Sequence, residues 1–203
     1  MIIAGIDYSL SCPSVCVHNT SDGQLSFDTV RFYVNQERIT KKEQEYRNVT
    51  DFRNIFFSER LTNPGTSDII RYQMLADWTL SVLWQERVEF VSLEGYALGA
   101  KGLIFNIAEA TGLLKNYLQL AGIGYISIPP SANKKSFTGK GNANKALMIE
   151  TFRQKTGIDI ANLVFPKKDP IKEFTGSPIS DIVDSYSLIE TYFKETNYGS
   201  RKS

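Results

Sequence analysis

The chain has 203 residues, 42% of them hydrophobic and 22% charged, with a formal net charge of +1. These values describe a globular chain, read here as one domain at 1–203, long enough to bury a core without disulfide or metal staples. They leave nucleic acid neither required nor excluded, so charge has to be read locally. Three further classes are excluded. No apolar run reaches the roughly eighteen residues of a membrane span. The apolar start Met1–Ile6 is cut short by Asp7 and has no positive flank, unlike a secretory signal. Cys12 and Cys16 with the single His18 are too few for a structural zinc site, and a cytoplasmic, reduced protein is expected.

In chain order, residues 2–7 form an apolar run ending in an acid, the pattern of a buried strand. Residues 14–19 and 25–34 alternate, separated by the Ser21-Asp22-Gly23 turn, and complete a three-stranded antiparallel meander. Residues 35–65 are polar and charged, end at Asn63-Pro64-Gly65, and read as a mobile or partly helical insertion. A helix is expected from Ser67-Asp68 to about Glu86, then a short strand from Phe90 to Leu93 that ends in Glu94-Gly95. A helix over 101–121 follows, with Leu103, Ile107, Ala110, Leu114, Tyr117 and Leu118 on one face. Tyr125 to Ile128 is a strand stopped by Pro129-Pro130, and helix returns at 143–155. The last helix runs from about Pro178 to Lys194, with Pro178 at its first position, where a missing N–H costs nothing. This order predicts an α/β fold: a mixed five-stranded sheet, three antiparallel strands and then parallel ones, with helices on both faces.

The carboxylates carry the chemistry. Asp7 ends the first strand, Glu94 ends the fourth, and Asp181 and Asp184 share one face of the last helix, whose line continues to the apolar Leu188. Taken singly, each acid has an ordinary explanation as a loop acid, a surface acid or a helix N-terminal acid. Together they form a three-part constellation, and inward-facing carboxylates are costly unless a cation compensates them. Oxygen-only ligands suit magnesium or manganese. Sites in open sheets gather at the carboxyl ends of strands, where Asp7 and Glu94 emerge.

These residues resemble the RuvC family of Holliday junction resolvases, within the RNase H-like superfamily. Gly5-Ile6-Asp7 is similar to the first acidic motif and Phe90 to Tyr96 to the second. The stretch from Asn133 to Lys145 resembles the lysine-glycine loop, and Ser180 to Tyr186 the paired-aspartate motif. The resemblance covers 1–34 and 88–195. It departs at Tyr8-Ser9, where the family usually has Pro-Gly. It departs again in the longer insertion, and at Ala97, where a base-stacking aromatic generally lies and Tyr96 stands one residue earlier. A divergent member, phage or viral, would fit.

The resemblance implies a nuclease resolving four-way or branched DNA with two magnesium ions, manganese substituting, and roles in DNA recombination and repair. Asp7 would bridge the ions, Glu94 and Asp184 would complete their shells, and Asp181 would be the more peripheral ligand. Lys134 and Lys145 would lie nearest the scissile phosphate. Lys135 and Lys140 would grip flanking backbone, and Tyr96 and Phe137 would stack on bases, with core packing the standing alternative for Phe137. Between Ser131 and Lys155 six positive residues stand against Glu150 alone, and Thr138 to Asn142 could set backbone N–H groups against a phosphate. Cutting two opposed strands implies a homodimer, with the helix at 101–121 as its interface or as ordinary core. Three alternatives stand beside this reading. The first is another RNase H-like nuclease acting on flaps or RNA–DNA hybrids. The second is an actin-like or sugar-kinase ATP-binding protein, whose further phosphate and adenosine motifs are missing here. The third is a non-catalytic DNA-binding protein, which the intact acids disfavour.

Overall fold

The computed structural model describes residues 1–36, 52, 54–60, 65–96, 104–165 and 175–196. Six strands form one sheet: β1 (Ile2–Asp7), β2 (Ser14–Asn19), β3 (Val30–Gln36), β4 (Ile55–Glu59), β5 (Phe90–Glu94) and β6 (Gly124–Ile128). Their order across the sheet is β4-β3-β2-β1-β5-β6. β2 runs antiparallel to both β1 and β3, whereas β4 joins β3, β5 joins β1 and β6 joins β5 in parallel. Only β2 is reversed, so Asp7, Gln36, Glu59, Glu94 and Ile128 all emerge at one edge.

The helices are α1 (Asp68–Gln85), α2 (Ile104–Leu120), α3 (Pro130–Thr138), α4 (Lys145–Thr156), α5 (Ile160–Val164) and α6 (Ile179–Glu195). They cover both faces, as the sequence predicts. α1 and α2 lie over Ala4, Ile6, Val15, Val17, Val91 and Leu93. On the opposite face α3 to α6 cover Ile3, Cys16, Phe32 and Val34. Successive strand residues alternate between the two faces. Ile3, Gly5 and Asp7 therefore look toward α6, as do Phe90, Ser92 and Glu94. Among the described residues no helix is long and apolar enough to cross a membrane.

Three local differences from the sequence reading have physical causes. Part of the 35–65 insertion is neither mobile nor helical: Ile55–Glu59 is the sheet's edge strand. There Ile55 is buried, and Phe56 stacks on Tyr33 with ring centroids 5.1 Å apart. Residues 37–51, 53 and 61–64 of that insertion lie outside the described residues, as do 97–103, including Leu103 and Ala97. Second, Pro129-Pro130 ends β6 but also starts α3, with Pro in the first turn and Gly139 closing the helix at φ 83°. Much of the expected lysine-glycine loop is thus a nine-residue helix, leaving only 139–144 as loop before Asn144 caps α4. Third, Pro178 is the cap residue of α6 rather than its first helical residue.

Candidate active site at the carboxyl edge of the sheet

The site begins with how closely α6 approaches the sheet. A Cβ on Gly5 would stand 2.1 Å from the Ser185 carbonyl oxygen, so only glycine fits there. Beside it, Ser14 Oγ and Ser185 Oγ are 3.1 Å apart, and Ser92 Oγ donates to the Leu188 carbonyl at 2.9 Å. Small residues on three adjacent strands thus make a floor on which α6 lies. One step further along β1 and β5 come Asp7 and Glu94, and the first turns of α6 place Asp181 and Asp184 above them.

All four acids interact. Asp7 and Asp181 are buried, with 7% and 6% of their surface exposed. Burial first, then the charges of Glu94, Asp181 and Asp184, and a hydrogen bond to Asp181, hold the Asp7 carboxyl well above the ordinary carboxylate range. Burial and Asp184 push Glu94 up to about 7, while Lys134 pulls it down. Burial and Asp181 push Asp184 up to about 6, against Lys134 and Lys145. Asp181, read from the sequence as the more peripheral member, is the one in hydrogen-bond contact with Asp7.

The lysines divide. Lys134 on α3 acts on both Glu94 and Asp184. Lys145, at the start of α4, donates to Ser180 Oγ at 3.1 Å and acts on Asp184. Lys135 and Lys140 are exposed beyond them. Tyr96 is exposed past the end of β5, with Lys115 Nζ 4.8 Å from its ring centroid.

One expectation needs correction, and a second narrows. Phe137 is not a surface aromatic available to bases. It is 3% exposed, faces Tyr186 edge-on at 6.3 Å, and belongs to the core under α6. In the loop after α3, two of the expected N–H donors, those of Gly139 and Lys140, are already bonded within the chain. Gly139 N–H is bonded to Lys135 O, Lys140 N–H to Thr138 Oγ1, and Ala143 N–H to Lys140 O.

Divalent cations fit this donor set. The donors are all carboxylate oxygens, their burial leaves mutual repulsion poorly screened, and Asp181 Oδ2 is buried without a hydrogen-bond partner. Among the described residues no three acids, histidines or cysteines are gathered closely enough to hold an ion as they stand. His18 lies elsewhere, buried, its Nδ1 3.1 Å from the Thr29 carbonyl, and Cys12 and Cys16 are buried thiols.

A polar stripe on α6 escaped the sequence reading. Ser180, Asp184, Ser187 and Thr191 recur three to four residues apart, hence on one face. That face meets α3 and the start of α4. Ser187 and Thr191 are fully buried and bond Asn133 on α3, which is 1% exposed. The signal was available as polar residues at helical spacing in an otherwise apolar helix.

No family model matches the sequence, and no curated protein matches it. Solved structures do. RuvC of Thermus thermophilus is similar over 98% of this chain and 97% of its own, at 18% identity and a TM-score of 0.59. The T. thermophilus RuvC in complex with Holliday junction substrate matches over the same shares, at 18% identity and a TM-score of 0.62. The yeast mitochondrial Holliday junction resolvase matches over 98% of this chain and 80% of its own, at 10% identity and a TM-score of 0.53. The chain has the RNase H-like α/β fold of RuvC.

Proposed function

We propose that this chain is a divalent-metal-dependent endonuclease that cuts branched DNA, four-way junctions in particular. The observation that carries the reading is the meeting of Asp7, Glu94, Asp181 and Asp184, from two strand ends and one helix, with Lys134 and Lys145 at their border. Buried acids that raise one another's pKa are costly to the fold, and such cost concentrates where chemistry needs it. The RuvC fold adds support, as does a RuvC solved on a Holliday junction substrate.

In this reading the four acids hold two magnesium or manganese ions. When bound, such ions activate the attacking water and stabilise the departing oxygen. Asp7, whose carboxyl interacts with each of the other three acids, would be the central ligand. Lys134 and Lys145 reach the phosphate that the acids alone would repel. Lys135, Lys140 and Lys115 hold neighbouring backbone, and Tyr96 offers a face for a splayed base. The chain works as one nuclease domain with the 35–65 segment as an insertion. Two copies act as a homodimer, because a junction is resolved by paired cuts.

The test is cleavage of a synthetic four-way junction beside linear duplex, flap and RNA–DNA hybrid, with magnesium. Paired cuts at the junction, lost in Asp7→Asn with binding retained, are expected. Preferred cutting of the flap or the hybrid would replace the junction reading. Full activity of Asp7→Asn would remove the acid cluster from the mechanism.

A further inference from the structure

The two lysines bordering the acids are referred to α6 by different means. Lys145 is tied directly, through Ser180 Oγ. No described hydrogen bond holds the Lys134 amine, yet it acts on Glu94 and Asp184. What fixes its place is the residue before it. Asn133 Nδ2 donates to Ser187 Oγ at 2.8 Å, and Asn133 Oδ1 accepts from Thr191 Oγ1 at 2.9 Å. Ser187 Oγ in turn donates to the carbonyl of Asp184 at 2.8 Å. A continuous chain of bonds thus runs from the residue preceding Lys134 to the backbone of Asp184. Asn133, Ser187 and Thr191 are each 1% exposed or less. A satisfied buried network admits one arrangement of its partners, whereas an apolar contact between helices tolerates sliding.

We propose that Asn133, with Ser187 and Thr191, is a positioning residue that fixes the register of α3 on α6 and so delivers Lys134 to Glu94 and Asp184. The consequence for turnover rests on the nuclease reading above; the placement of Lys134 does not.

The network is removed whole, by Asn133→Leu, Ser187→Ala and Thr191→Val together, because replacing all partners by apolar groups is close to neutral for folding. Expected is a thermal midpoint near that of the parent and junction cleavage slowed about 10- to 100-fold, the scale of a misplacement near 1 Å. In a Lys134→Ala background the same triple change should cost less than about threefold, since its target is gone. Equal losses in both backgrounds, or undiminished cleavage by the triple variant, would overturn the proposal. A second readout needs no catalysis: acylation of lysine amines followed by mass spectrometry. The rate at Lys134 should change severalfold in the triple variant, with Lys135 and Lys140 unchanged. An unaltered Lys134 rate in the folded triple variant refutes the positioning role. A protein that cuts nothing refutes the nuclease reading and leaves the acylation result to decide the placement. If the triple variant fails to fold, Asn133→Asp, near in shape and able only to accept, takes its place in both measurements with the same outcomes expected.

Discussion

At the scale of single residues, the acid cluster makes a statement about pH. Asp7, Glu94 and Asp184 are all raised, by burial first and by neighbouring acids of the cluster second, Asp181 in the case of Asp184. Between its unfolded and its folded pKa such a carboxyl holds a proton in the native state that the unfolded chain releases. The stability contributed by these groups is therefore present near pH 4 and is lost as pH rises to about 7, where Glu94 ionises. His18 works in the opposite sense, since burial lowers it and its folded form resists protonation. Asp7→Asn leaves His18 untouched, so the difference between the two proteins isolates the cluster. With chelator present, the thermal midpoint of Asp7→Asn should exceed that of the parent by about 4 °C or more at pH 8. The gap should close toward pH 4.5. Magnesium at pH 8 should raise the parent's midpoint and scarcely that of the variant. A parent more stable than Asp7→Asn at pH 8 without metal would sink this account of the cluster.

At the scale of elements, the decisive contact is α6 on β1. Gly5→Ala would drive a methyl into the Ser185 carbonyl, backbone against backbone, with no side chain able to yield. Overpacking of this kind costs about 3 kcal/mol or more, which predicts a midpoint lowered by about 6 °C or more in thermal denaturation. A midpoint within a degree of the parent's would show that α6 can lift off β1 freely. The elements carrying acids were the most legible in the sequence, because a short apolar run that stops at a carboxylate has the pattern of a buried strand reaching the sheet edge. Asp7 and Glu94 were found this way, and the Asp181–Asp184 pair by its three-residue spacing on one face of the last helix. β4 was hidden because its five residues lie inside a polar stretch and their apolar members meet the sheet edge only after folding. α3 was hidden because two prolines and a Gly139-Lys140-Gly141 run bracket it, and both signals also mark loops. Misreading α3 as loop is what put Phe137 on the surface and kept Asn133 out of view: on a helix, residues 133 and 137 share the face turned to α6.

At the scale of the whole molecule, a net charge of +1 conceals a division that only the tertiary structure makes. Of the six positive residues between 131 and 155, the resemblance ranked four and left Arg153 and Lys155 without a role. In the structure Arg153 is paired with Glu150 at 2.8 Å, and Lys155 with Glu190 at 2.8 Å. Lys134 and Lys145 border the acids. Among the described residues Lys135 and Lys140 have no carboxylate partner, and both are exposed. Each phosphate neutralised by a lysine releases counterions, and this sets the slope of log binding constant against log salt. Lys135→Ala and Lys140→Ala should each reduce the magnitude of that slope by about one and weaken junction and duplex binding alike, because phosphate contacts carry no structural preference of their own. Lys155→Ala should change the slope less, because its amine is held 2.8 Å from Glu190, a carboxylate it shares with Lys194. Fluorescence anisotropy over a salt series, on the Asp7→Asn protein with chelator present, measures all three. Equal slopes for the Lys140→Ala and Lys155→Ala proteins would mean that the ion pairs do not sort the cations, and that DNA meets this helix pair on a different face.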